Sequence, residues 1–222
     1  MTISERLQEQ LGFLVEVDKL KQVERETSII GASRRENSAE HSWHIALMAL
    51  VLGEYAAGEV DLGRVVAMLL LHDVVEIDAG DVFAYDEAGQ AGRVEREYEA
   101  ARRIYKLLPG DQGTTLLRLW REFEERATPE ARFAAALDRL QPLLLNVANE
   151  GDVWRRHGIT ADRVYQRNAS IEEGAPQLWR AALEIIETAV GAEILAMPPE
   201  PAPPDGRPGR RSAAPVAGGP SR

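Results

Sequence analysis

The chain has 222 residues and no cysteine, which excludes disulfides and thiolate-held zinc or iron–sulfur centres. It is 45% hydrophobic and 28% charged, as folded water-soluble domains are, and its longest apolar run, residues 45–52, is far short of the roughly 20 residues of a membrane span. With 26 Lys and Arg against 36 Asp and Glu, the net charge of −10 speaks against a nucleic-acid partner while leaving room for a small anion held by local arginines.

Residues 4–23 predict a first amphipathic helix, with Leu7, Leu11, Leu14 and Leu20 on its apolar side. A loop over residues 25–36 follows, and Asn37 or Ser38 caps a second helix that continues to about residue 57. Asp61 caps a third helix, which runs through the leucines at 69–71 to about Ile77 and stops at Gly80. A charged fourth helix spans about 92–107 and ends at Pro109-Gly110. A fifth covers about 111–126, and Thr128-Pro129-Glu130 starts a sixth that reaches Asn149. Further helices fit residues 160–171 and 176–195, and no strand-type alternation stands out. Residues 198–222 contain eight Pro and four Gly and read as a disordered tail. The expectation is one all-α domain over residues 1–197 followed by that tail. The N-terminus lacks the basic-then-apolar order of a secretory signal, so a cytoplasmic location is expected.

Two acids stand where a helix interior should be apolar. His72-Asp73 lies inside a greasy run, residues 68–75, and Asp138 lies inside residues 133–140. A buried carboxylate costs several kcal/mol, roughly the penalty of an unpaired ion, unless it is paired or coordinated. One divalent cation satisfies such acids together with imidazoles; a surface pairing of Asp138 with Arg139 or Arg132 is the competing reading. Pro142, four residues after Asp138, removes the amide that the Asp138 carbonyl would use, so a kink is expected there.

Residues 34–48, RRENSAEHSWHIALM, followed by His72-Asp73, Glu76, Asp78 and Asp81 and by Leu137-Asp138-Arg139-Leu140-Gln141-Pro142, resemble the HD-domain metal-dependent phosphohydrolases. The similarity is greatest to the YfbR-type 5′-deoxynucleotidase branch and spans about residues 5–190. The resemblance implies an HD-type helical bundle. His41, His72, Asp73 and Asp138 would hold one divalent ion, with Mn²⁺, Co²⁺, Fe²⁺ and Mg²⁺ all compatible. It implies catalytic roles for Glu76 and Asp81, phosphate-binding roles for Arg34 and Arg25, and hydrolysis of a nucleoside 5′-monophosphate by a homodimer. Arg35 is expected to pair with Glu36 or Glu40. The family's tryptophan after the upstream arginine is Glu26 here, so the base and sugar preference does not carry over. Trp43 reads as a packing residue, His44 as a core or supporting histidine, and His157 as an exposed loop residue.

Three rival functions keep the same fold: hydrolysis of another phosphate ester, hydrolysis of a signalling nucleotide, and a non-catalytic HD-fold binding protein. Ile77 stands where alarmone hydrolases carry a second acid, and the Gly-Tyr-Pro signature of cyclic-dinucleotide hydrolases is absent.

Overall fold

A computed structural model describes residues 3–199. The proposed tail falls outside them except for its first two residues. Helix α1 is Glu5–Val17, followed by a 3₁₀ segment at Asp18–Gln22 and two antiparallel strands, β1 (Glu24–Ser28) and β2 (Arg35–Asn37). Then come α2 (Ser38–Leu52), a 3₁₀ turn at Gly53–Tyr55, α3 (Leu62–Leu71), a 3₁₀ segment at His72–Val75 and α4 (Glu76–Ala79). The second half is α5 (Glu87–Gln90), α6 (Arg93–Tyr105), α7 (Gly110–Glu125), α8 (Pro129–Ala148), α9 (Asp152–His157), α10 (Ala161–Asn168), α11 (Ile171–Gly174) and α12 (Pro176–Gly191). The fold is an all-α bundle, as the apolar spacing predicts.

The start signals act as their chemistry requires. Asn37 caps α2 in a reciprocal box with Glu40. Asp61 accepts from the Arg64 amide at the start of α3. Thr128 accepts from the Ala131 amide, with Pro129 opening α8. Helix α8 is the central element, packing on α2, α3, α7, α11 and α12. Its residues Phe133 and Leu137 meet Ile45, Met68, Leu69 and Ile186 in the larger core. A second core joins Phe13 of α1 to Ile104, Tyr105 and Trp120 of α6 and α7 and to Val74 and Val75. The 3₁₀ segment carrying His72 and Asp73 lies between the two.

Three expectations change. The stretch read as a loop is a β-hairpin, invisible to alternation because its residues are polar and irregularly spaced. Asn149 at the end of α8 fastens it, donating to the carbonyls of Ser28 and Ile29 and accepting from the Gly31 amide, each at 3.0 Å. The third helix does not run unbroken to Ile77: it tightens to 3₁₀ geometry at His72 before α4. That change frees carbonyls, and Tyr105 Oη donates to Leu71 O at 3.0 Å while Trp120 Nε1 donates to His72 O at 3.2 Å. Leu7, Leu11 and Leu14 of α1 are exposed along a shallow groove bordered by Leu108 and Leu116, and of that helix only Phe13 is buried. Helix α8 contains Pro142 and continues to Ala148.

Candidate metal centre

Three elements converge on one point. His41 comes from the first turns of α2, His72 and Asp73 from the 3₁₀ segment, and Asp138 from the middle of α8. His41 is fully buried, and His72 and Asp73 are nearly so. One nitrogen or oxygen from each of His41, His72 and Asp73 lies within 4.8 Å of the others. His41 Nε2 is 3.1 Å from Asp138 Oδ1 and 3.9 Å from Asp73 Oδ2. His72 Nε2 is 2.9 Å from Asp73 Oδ1 and 3.8 Å from Asp138 Oδ1. Ligands at about 2.1 Å from a shared ion stand from about 3.0 Å apart when adjacent to about 4.2 Å when opposite, a range into which these spacings fall to within about 0.1 Å.

The tautomers sharpen the point. His72 Nδ1 donates to the Leu69 carbonyl at 2.9 Å, and His41 Nδ1 donates to Gln141 Oε1 at 3.1 Å. Each Nε2 therefore turns a lone pair toward a carboxylate oxygen, itself an acceptor. His72 Nε2 is buried without a hydrogen-bond partner, since its approach to Asp73 lacks hydrogen-bond direction. Acceptors facing acceptors in a dry interior call for a cation between them. Without an ion, a proton can take that place on His72. Burial favours neutral His72, but Asp73 and Asp138 overcome it and push its pKa up to about 9. Burial likewise raises Asp138, yet His41, Arg139 and His72 hold it well below the usual carboxylate range.

A cavity of about 220 Å³ opens onto Asp73, Asp138 and His72. Glu76 and Asp81 also line it. Ser38 Oγ donates to Glu76 Oε2 at 2.6 Å, and burial together with the Asp73 charge raises the Glu76 pKa well above its ordinary value. Asp81 is raised as well, chiefly by burial, against the pull of Arg25 and a hydrogen bond with Glu76. Arg25, from β1, is the local counter-charge: its Nη1 lies 2.8 Å from Asp73, 3.7 Å from Asp81 and 4.0 Å from Glu76.

The expected site residues divide cleanly. His41, His72, Asp73, Asp138, Glu76, Asp81 and Arg25 come together. Arg34 does not: it is half exposed, bound at 2.5 Å to Glu40, and lines no part of the cavity. Arg35 pairs with Glu26 rather than Glu36 or Glu40. Trp43 is exposed, contrary to a packing role. His44 supports the centre at one remove, with Nδ1 3.2 Å from Gln141 Nε2. His157 closes α9 and contacts Glu26 Oε2 at 3.0 Å.

Sequence reading missed Glu36 and Gln141. Gln141 Nε2 donates to Glu36 Oε1 at 2.6 Å, which orients its carbonyl toward His41. Its position three residues after Asp138 puts both on one helical face, a signal present in the sequence. Glu36 had none, because its burial depends on the hairpin. Arg139 and Arg167, both lining the cavity, were also missed as site residues.

An all-helical bundle with two imidazoles and two carboxylates converging beside an acid-lined cavity defines the class of divalent-ion hydrolases. The chain belongs to the HD domain family, whose sequence profile matches residues 17–179. It is 33% identical over 153 residues to the 5′-deoxynucleotidase HDDC2 of Homo sapiens, covering 68% of this chain and 73% of that protein. The Bos taurus counterpart is 32% identical over the same shares. A crystal structure from Magnetospirillum magnetotacticum MS-1, described as a predicted metal-dependent phosphohydrolase, is 51% identical with a TM-score of 0.83, covering 86% of this chain and 96% of that one. This homology makes the chain an enzyme of the metal-dependent phosphohydrolase type.

Proposed function

We propose that the enzyme hydrolyses nucleoside 5′-monophosphates, deoxyribo- or ribonucleotides, to nucleoside and phosphate, with residues 1–197 as the catalytic unit. The observation that carries this reading is the pair of imidazole lone pairs aimed at carboxylate oxygens on the wall of a small cavity. His41, His72, Asp73 and Asp138 would hold the ion, and their mixed nitrogen and oxygen donors suit Mn²⁺, Co²⁺, Fe²⁺ or Mg²⁺. When bound, the ion supplies Lewis acidity toward the phosphate and makes water more acidic. Burial beside Asp73 and Asp81 raises the Glu76 pKa, which suits it to hold a proton for the leaving 5′-oxygen. Asp81, hydrogen-bonded to Glu76, shares that proton. Arg25 holds Asp73 ionised and fixes its direction.

The test is phosphate release from a panel of 5′-nucleotides, run with each metal. Asp138→Ala should lose both the stoichiometric ion and phosphate release. Full activity of a metal-free Asp138→Ala protein would refute the proposal. Release from non-nucleotide esters alone would favour the alternative phosphate-ester reading.

The same reading includes a cytoplasmic homodimer. No helix among the described residues is long and apolar enough to cross a membrane. Helix α2 is apolar around most of its circumference, yet Trp43, Leu47, Leu50 and Val51 leave one side exposed. Such a helix normally buries both sides, and a second copy of the chain is the proposed cover.

A further inference from the structure

Every cationic side chain placed earlier at the site has a carboxylate partner. Arg25 is held by Asp73, Arg34 by Glu40, and Arg93, also on the cavity wall, by Glu97 at 2.5 Å. Arg126, Arg139 and Arg167 also line the cavity and make no side-chain hydrogen bond among the described residues; the last two stand on α8 and α10. Arg139, on α8 directly after Asp138, is 12% exposed, and its Nε is buried without a hydrogen-bond partner. Its nearest carboxylate oxygen, Asp138 Oδ2, is 3.8 Å away, beyond hydrogen-bonding reach. Arg167, near the end of α10, has no hydrogen bond or ion pair among the described residues. A guanidinium removed from water without an acceptor is costly, and two on the wall of one small cavity repel each other as well.

We propose that Arg139 and Arg167 grip the phosphate group of the substrate, the role sequence reading gave to Arg34. A dianionic phosphate supplies the missing acceptors, and the planar guanidinium forks match its oxygens. The assignment rests on the phosphohydrolase reading above and deepens it by naming the residues that select a phosphate ester.

The experiment titrates the metal-loaded protein with inorganic phosphate by calorimetry, for wild type, Arg139→Gln and Arg167→Gln. Arg6→Gln, at an exposed pair with Asp111, is the control. Each cavity variant is expected to weaken phosphate binding on the order of 10- to 100-fold, the loss of a charge-assisted hydrogen-bonding group. A lysine at either position should recover only part of it. A phosphate-free nucleoside, tested as a competitive inhibitor, should keep its affinity. The thermal midpoint without anion should hold in the glutamine variants, because neither guanidinium makes a hydrogen bond that the substitution would break. Unchanged phosphate affinity, a selective loss of nucleoside affinity, or a lowered midpoint with intact phosphate binding would each overturn the assignment. Absence of any phosphate release by wild-type protein would overturn the phosphohydrolase reading instead, and the calorimetric result does not depend on turnover.

Discussion

Gln141 Oε1 accepts the Nδ1 proton of His41 at 3.1 Å, and both side chains are fully buried. The bond fixes the tautomer that leaves His41 Nε2 free, so Gln141 would orient this ligand toward the proposed ion without touching it. Groups that orient a ligating histidine typically contribute 10- to 100-fold in metal affinity. Gln141→Met is therefore expected to weaken binding by about that factor while the helical signal persists. Metal titration of the folded variant is the measurement, and wild-type affinity would show that the contact is only packing.

Glu36 stands behind Gln141 and makes stability depend on pH. Burial raises its pKa from 4.5 to about 7, against the pull of Arg25 and the hydrogen bond from Gln141. Unfolded, it releases its proton near 4.5, whereas the folded protein keeps it until near 7. Between those values the native state binds more protons, so stability is full at the acid end and falls as pH rises. The slope is up to about 1.4 kcal/mol per pH unit for this one group, or about 3 kcal/mol over the window. Glu36→Gln, which retains an acceptor for Gln141, should flatten that part of the curve. Denaturant melts of chelator-treated protein between pH 4.5 and 7 measure it.

The helices and the convergence of the four proposed ion ligands were legible in the sequence for different reasons. Helices α2, α6, α7, α8 and α12 carry caps and apolar spacing that depend only on local chain. Asp73 and Asp138 stood out as charges in apolar runs, and the family resemblance joined them to His41 and His72. Residues whose role comes from tertiary position were hidden. Glu36 is buried only because β2 folds under Arg25. Arg34 looked suited to phosphate and Arg35 to a pair with Glu36 or Glu40, but the hairpin turns them to Glu40 and Glu26. Arg167 lies about thirty residues beyond the last motif, and nothing local distinguishes it from other arginines on polar helices.

The position of Asp138 depends on a close contact at the far side of α8. A Cβ on Gly174 would lie 2.1 Å from the Arg132 carbonyl oxygen and 2.5 Å from its carbon, both backbone atoms that cannot turn aside. Gly174→Ala must push α11 away from α8, and overpacking of this kind costs about 1–3 kcal/mol. For a chain this size the midpoint should fall by roughly 2–4 °C per kcal/mol. A thermal melt identical to wild type would mean that the two helices do not approach so closely.

Every side chain assigned to the ion, the proton shuttle or the phosphate lies between Arg25 and Arg167. Removing residues 198–222 is therefore expected to leave kcat/KM within about twofold of the full chain, as trimming outside a packed core usually does. A large loss on truncation would move the reading toward a tail-dependent binding protein. Kinetics on the two lengths under one metal condition decide it.

The exposed side of α2 gives the last prediction. Trp43, Leu47, Leu50 and Val51 recur at helical spacing and are between 44% and 65% exposed, so the face is continuous. Glutamate at both Leu47 and Leu50 would place two charges in the proposed contact between copies, where an unpaired buried charge is strongly unfavourable. In a monomer the same changes sit in water and cost little. Sedimentation at equal concentration should show wild type at twice the mass of the double variant, with both equally helical. A wild-type protein sedimenting as a monomer at micromolar concentration would leave the stripe without its proposed partner.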